Sequence, residues 1–509
     1  MGSSYNKQWV LLAAGSKGWE NYRHQADVCH AYQVVRKNGI PDEQIVVMMY
    51  DDIAYNEENP FKGKIINEPD GPNVYTGVPK DYTGKEVSAE NFLAVLRGDS
   101  EAVKKTGGKK VIQSGENDSV FIYLSDHGGH GVFCFPHSTL HAHDLITTIH
   151  TMSNSRKFSK MVLYLEACHS GSMLEELKDR NVYGVAACRP DENSYACFKD
   201  KKINAWLSDV FTAVWLHHTK TVKLNTTSFG DQFDYLKKKV TEAARKPQTP
   251  CNYGDMNICK VMLSEFLGES PDSVRGAWPG QPTNFRVSDV VDATEVPLLI
   301  QEYRIKNEQD PEKRQALERQ YDALKRKRKT VDEALQKIAE RTNASQALTE
   351  KREVTRTYEL KLVAEHFRKN LFNWEEEPVC TPSIHPSSIP LILFRVTGNL
   401  ETIPGSMGHK AGYTLDRVPI HHRAQSHTHT LTHPFIHYGH FRHANQPTMH
   451  VFGLGEETGV PGGNPRSTGR TCKVRTHRAV GIEPPTLAVC GERATPPCAP
   501  SKYNMTCVV

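Results

Sequence analysis

Two short segments carry the residue types that break peptide bonds. Ser125-Asp126-His127-Gly128-Gly129 follows the apolar run Val120–Leu124, and Glu166-Ala167-Cys168-His169-Ser170-Gly171 follows Met161–Leu165. A thiolate can attack a carbonyl carbon, and an imidazole can take the thiol proton and pass it to the leaving amine. The glycine after His127 leaves a backbone N–H unobstructed for a developing oxyanion. Each segment alone is a weak signal, since a buried structural cysteine reads the same way as Cys168. Their joint meaning depends on whether the two loops leave the same edge of one sheet. His130 and His169 read as edge residues of such a site. A His127-x-x-His130 metal pair lacks a third ligand, so neither a metal nor another cofactor is expected.

The surrounding pattern predicts that arrangement. Strand-like runs at Val10–Ala14, Gln44–Tyr50, Val120–Leu124, Met161–Glu166 and Val182–Ala187 alternate with helical patterns at Arg23–Lys37, Ser88–Leu96, Leu140–Met152 and Asn204–His217. Such alternation implies an α/β domain, a mostly parallel sheet flanked by helices, whose sites lie beyond the carboxyl ends of the strands. This domain spans 8–270. Residues 271–307 read as a linker, rich in Pro, Gly, Ser and Asp. Asp310-Pro311 then opens a small helical region over 308–374, with Asp as N-cap and Pro at the first helical position. Its basic run Lys325–Lys329 reads as a solvated helix face or a contact for acidic groups. Residues 375–509, with histidines from His427 to His443, form an irregular tail without period.

Composition narrows the functional class. The net charge of +4 gives no case for nucleic acid. No apolar run reaches the roughly 18 residues a membrane span needs. Residues 8–15 read as a first strand, not a signal peptide. The 12 cysteines show no paired zinc spacing. Asn117, Asn225, Asn343 and Asn504 are glycosylation sequons of use only in a secretory compartment.

Asp126-His127-Gly128 with Glu166-Ala167-Cys168-x-Ser170-Gly171-Ser172 resembles the caspase-like cysteine peptidases. Asn21–Asp27, Gly39–Ile45, Arg97-Gly98-Asp99, Ser194–Cys197 and Val296-Pro297-Leu298 narrow the resemblance to the legumain (asparaginyl endopeptidase) family, over about residues 8–374. The resemblance implies a caspase-like fold and cleavage after asparagine, and after aspartate in acid. It implies Cys168 as nucleophile, His127 as its acid/base partner, Asn21 as the residue orienting His127, and Gly128 as oxyanion donor. Arg23, His24, Glu166, Asn193, Ser194 and Asp209 match the substrate pocket. A carboxamide suits such a pocket, because its oxygen accepts from a guanidinium and its N–H₂ donates to carboxylates. Asn193 departs from the serine of familiar members and alters the pocket wall.

The resemblance further implies protein or peptide substrates and a zymogen self-processed at Asn307, with Asn284, Asp289 and Asp292 as fallback sites. Its own C-terminal region would act as inhibitor, cystatin-type inhibitors would be further partners, and the setting would be lysosomal, vacuolar or secreted. The match ends near Trp374, so the helical region is a truncated version of the family's. Three alternatives use the same residues: a peptide ligase that hands the acyl-enzyme to an amine, a lipid-anchor transamidase, and a non-catalytic binding protein presenting Arg97-Gly98-Asp99. The transamidase would need a membrane anchor.

Overall fold

The computed structural model describes residues 6–104, 110–244, 247–271, 285–341, 345 and 356–370, all within one compact unit spanning Met1–Gly405. The irregular tail, Asn284 and two of the sequons lie outside the described residues.

Strands β1 (Gln8–Ala14), β2 (Ile45–Met48), β3 (Ser119–Ser125), β7 (Lys160–Glu166), β8 (Val182–Ala186) and β11 (Cys251–Gly254) form a six-stranded sheet in the order β11-β8-β7-β3-β1-β2. All neighbours are parallel except β11, which pairs antiparallel at the edge. The α/β architecture expected from the alternation is the one observed. The parallel strands are largely continuous apolar runs because both sheet faces are covered. Along β1, Val10, Leu12 and Ala14 enter one core while Trp9, Leu11 and Ala13 enter the other, as a period of two requires. Helices α1 (Tyr22–Lys37), α5 (Val210–Thr221) and α6 (Phe229–Ala243) cover the first face. Helices α2 (Ala89–Arg97) and α4 (Ala142–Asn154) cover the second, and α3 (Ser100–Lys104) and α7 (Ser264–Leu267) are short connectors.

Two small antiparallel sheets sit beside the main one. One holds β4 (Gly128–Gly129), β5 (Val132–Phe135) and β6 (Ser138–His141). The other has the order β10-β9-β12, from β9 (Tyr195–Asp200), β10 (Ala205–Asp209) and β12 (Val291–Asp292). The second corrects the sequence reading of Asn204–His217 as one helix. Its first residues are β10, paired with β9 from Ala205↔Asp200 to Asp209↔Ala196, and α5 begins only at Val210. The apolar residues run on unbroken from strand into helix, which hides the change of period.

The linker is likewise more ordered than its composition suggests. After β12, helix α8 (Val296–Asn307) starts with a proline in its first turn, followed by α9 (Pro311–Arg341) and α10 (Thr357–Asn370). Asp310 caps α9 as expected, its carboxylate accepting from Glu312 N–H at 2.9 Å and Lys313 N–H at 3.2 Å. Arg304 on α8 binds Glu20 and Glu58. On α10, Lys361 pairs with Asp144, Glu365 with His141, and Thr357 donates to Glu176. Within the basic run, Arg328 donates to Thr294 C=O at 2.8 Å and faces Glu295, both in the linker. Lys329 pairs with Glu333 of its own helix.

Candidate active site

Adjacent β3 and β7 set Ser125 opposite Glu166, and Asp126 N–H donates to Glu166 C=O at 3.0 Å. The loops carrying His127 and Cys168 therefore leave the same sheet edge, each residue two positions beyond that pair. Gly128 lies between them. A Cβ there would stand 2.6 Å from the Cys168 carbonyl oxygen and 2.9 Å from Ala167 Cβ, so only glycine fits this approach. Cys134 N–H donates to His127 C=O, which makes Gly128–Phe133 the non-hydrogen-bonded pair of β4 and β5. The ladder thus leaves the Gly128 N–H unused.

Asn21 stands at the N-cap of α1 yet makes no cap bond. Its Nδ2 donates to Lys17 C=O at 2.9 Å and its Oδ1 meets His127 Nε2 at 2.7 Å. A carbonyl can only accept, so the amide N–H₂ must face Lys17. That leaves Oδ1 for His127, puts the imidazole proton on Nε2 and frees the Nδ1 lone pair. Burial first, and then Arg23, push the His127 pKa down to about 3. Cys168 is also buried, and burial pushes its thiol up to about 12. Ser194 opposes that shift, with its N–H 3.3 Å and its hydroxyl 3.5 Å from Sγ, while the Asp292 carboxylate adds to it. In this form both groups are neutral.

Beside them lies a cluster of buried charges. Arg23 Nε donates to Asp209 Oδ1 at 2.8 Å, and Thr212 donates to Glu166 Oε2 through its N–H at 2.9 Å and its hydroxyl at 3.0 Å. Asp209 occupies the N-cap of α5 without capping it. Glu166 reaches across from β7 and takes the helix-terminal N–H instead. Arg23 Nη2 and Glu166 Oε1 are buried without a hydrogen-bond partner, and Asp209 Oδ2 has no closer partner than the 3.5 Å approach of His24 Nε2. Burial raises the pKa of Glu166 and Asp209; Asp209 pushes Glu166 further up, and Arg23 pulls both down. His24 Nδ1 lies 2.7 Å from Ser16 Oγ and 2.9 Å from Asp126 Oδ1. Its ring meets that of His127 edge-on at 4.9 Å, and its Nε2 is 3.5 Å from Asp209 Oδ2.

Ligand atoms of His24, Asp126 and His127 lie within 4.8 Å of one another. An ion there would compete with the bond that holds His24 to Ser16. His130 packs against His169 with the rings tilted by 39° and centroids 4.6 Å apart, and is not part of that trio.

Most of the residues singled out in the sequence converge here. Asn193 differs: its amide turns to the Asp292 carboxylate, with Nδ2 at 3.0 and 3.2 Å from the two oxygens. Asn307 is the exposed last residue of α8, its Nδ2 bonded to Tyr303 C=O, and not a loop residue preceding the helices. Arg97 pairs with Asp99, whose other oxygen accepts from Ala102 N–H, so this tripeptide is tied into its own turn. The sequence reading missed Asp27. Its carboxyl accepts from Ser208 Oγ and Asn67 Nδ2, both at 2.7 Å, and lies against Asp209. Its spacing of four from Arg23 on a helix was the available signal. Thr212 had none, and Asp292 was read only as a fallback cleavage site.

Comparison with known proteins bears on the chain as a whole. The profile of the peptidase C13 family matches residues 8–269. Legumain from Homo sapiens is 42% identical over 374 residues, 72% of this chain and 84% of its own length. Hemoglobinase from Schistosoma japonicum is 45% identical over 264 residues, 51% of this chain and 60% of its own. The vacuolar-processing enzyme delta-isozyme of Arabidopsis thaliana is 36% identical over 368 residues, 69% and 78% of the two chains.

Proposed function

This chain belongs to the peptidase C13 family and is a cysteine-type endopeptidase, and we propose that it cuts protein substrates on the carboxyl side of asparagine. The observation that carries this reading is the set of unpartnered atoms in the charged cluster. Arg23 Nη2 offers N–H donors, and the ionised Glu166 Oε1 and Asp209 Oδ2 offer two acceptors. A primary carboxamide presents one acceptor and two donors. It satisfies all three, whereas an apolar side chain leaves them unpaired and is rejected. Ionised aspartate meets repulsion from Glu166 and Asp209. Protonated aspartate does not, so cleavage after aspartate belongs to acidic pH.

In this mechanism His127 Nδ1 takes the Cys168 proton as sulfur attacks the carbonyl carbon. The Gly128 N–H receives the oxyanion, and the imidazolium returns the proton to the leaving amine. Water then attacks the acyl-enzyme by the same route in reverse. Asn21 holds the imidazole in the required tautomer.

The protein is latent as it stands and is made as a zymogen. The linker strand β12 pairs with β9, and Ala293 N–H donates to Ser194 C=O beside Cys168. Helices α8, α9 and α10 hold that segment down through Arg304, Arg328, Lys361 and Glu365, which supports the C-terminal region as an inhibitor. Cleavage after Asn307 separates α8 from α9 once the exposed last turn frays. A lysosomal or vacuolar setting is the one that the likeness to a vacuolar-processing enzyme supports.

The test is incubation of the chain at pH 4 to 7 with peptides carrying Asn, Asp, Gln or Ala at the cleavage position, read by mass spectrometry. Cleavage after Asn, absent in Cys168→Ala, supports the reading. Equal cleavage after Ala would sink it. A new N-terminus at Glu308, absent in Cys168→Ala, marks self-processing.

A further inference from the structure

The linker approaches Cys168 as a peptide would. Its residues run antiparallel to β9, with Val291 opposite Ala196 and Asp292 opposite Tyr195, and Ala293 N–H donates to Ser194 C=O at 3.1 Å. Ser194 N–H in turn lies 3.3 Å from Cys168 Sγ. Reading N to C, the strand advances on the sulfur. Ala293 occupies the place of the residue whose carbonyl is attacked, and Asp292 the place just before it.

Two features keep this peptide uncut. The Ala293 methyl offers nothing to Arg23, Glu166 or Asp209. Asp292 Oδ1 also accepts from Thr294 N–H at 3.0 Å and from its hydroxyl at 2.7 Å, which curls the chain away after Ala293. A substrate continuing in extended form has no such turn. The side chain at the Asp292 position then faces Asn193 with its oxygens unclaimed. The nearby Glu192 does not compete, since its carboxylate is bound by Thr249 and by Arg189 N–H.

We infer that Asn193 reads the residue immediately before the cleaved asparagine and favours a short carboxylate there, so that Asp-Asn sequences are the preferred substrates. The inference rests on the asparagine-specific reading above and adds a second recognised position to it. The amide N–H₂ of Asn193 donates to both oxygens of one carboxylate, as it does to Asp292. A lysine ammonium would meet those donors and gain nothing.

The experiment uses the acid-activated enzyme and peptides of the form Ala-Xaa-Asn-Gly, with Xaa as Asp, Asn, Ala or Lys. Aspartate should raise kcat/KM over alanine by about five- to tenfold, roughly the worth of one charge-assisted hydrogen bond at a half-exposed site. The gain should fall in KM, and lysine should be poorest. In Asn193→Ser the Asp-to-Ala ratio should drop to about one. A flat series with asparagine still required at the cleaved position overturns the inference and leaves the asparagine reading intact. An aspartate advantage that survives in Asn193→Ser overturns it too. Failure to cut after asparagine in any peptide removes the reading on which it rests. As a check without the Asn193 variant, Asp292→Ala should make the uncleaved zymogen leak activity, because it removes the same contact from the linker; an unchanged latency counts against the inference.

Discussion

Replacing Glu166 with glutamine tests the pocket at its most informative atom. Oε2 is engaged by Thr212 N–H and hydroxyl, both donors, while Oε1 has no partner. In Glu166→Gln the amide oxygen must stay on Thr212, which turns the N–H₂ towards the place of Oε1. A substrate carboxamide then finds a donor where its own N–H₂ needs an acceptor. Against the ionised Glu166 that the substrate amide selects, the loss is one charge-assisted hydrogen bond, about 1.5–3 kcal/mol, or roughly 10- to 150-fold in kcat/KM for asparagine substrates. Stability should move differently. Burial first and then Asp209 raise the Glu166 pKa well above its ordinary value. Between the unfolded pKa and the raised folded one, the native state binds more protons than the unfolded chain, so the wild type loses stability as pH rises through this window. The glutamine variant has no proton to lose. It should match the wild type while Glu166 is protonated and be at least as stable once Glu166 ionises, in keeping with the removal of a buried charge. Steady-state kinetics on Asn and Ala peptides and melting curves from pH 4.5 to 7 decide the matter. Retention of asparagine cleavage within about threefold would refute the pocket assignment. Loss of cleavage together with a large fall in Tm at pH 7 would show that Glu166 serves the α5 terminus instead.

Other outcomes follow from the same geometry. Arg23→Ala leaves Asp209 and its neighbours without their cation and should destabilise the fold by about 3–5 kcal/mol, measured by urea denaturation. Asn21→Ala frees the His127 tautomer and should lower kcat by about 100-fold with KM little changed, in single-turnover and steady-state assays. Gly128→Ala forces a Cβ to 2.6 Å from the Cys168 carbonyl oxygen and should abolish turnover while also lowering Tm. The partners His141 and Arg368 hold Glu365 well below the usual carboxylate range. That contact is therefore present above the unfolded pKa and persists at pH 4 to 5. Glu365→Gln should loosen latency at neutral pH and leave the midpoint of acid activation in place.

The sequence by itself determined the α/β architecture and the two reactive loops. Strand runs ending in Asp126-His127-Gly128 and Glu166-Ala167-Cys168 can be read because covered parallel strands are uninterrupted apolar stretches, and loops after their carboxyl ends hold the chemistry. It also marked Asp310 as a helix cap, since capping is a local bond. Ala205–Asp209 was misread because strand and helix share one apolar stretch, and only pairing with β9 settles the period there. Order in 296–307 was hidden because α8 is held by Arg304 on Glu20 and Glu58, distant in sequence. The proposed pocket rests on tertiary structure alone. Residue types suggested charges for an amide, but which of their atoms remain unpaired depends on Thr212 reaching Glu166 and Arg23 reaching Asp209, bonds that span 46 and 186 residues. Asn193 shows the same limit: its amide acquires a partner only when β12 lies beside β9, because hydrogen bonds act over a few ångströms in space and not along the chain.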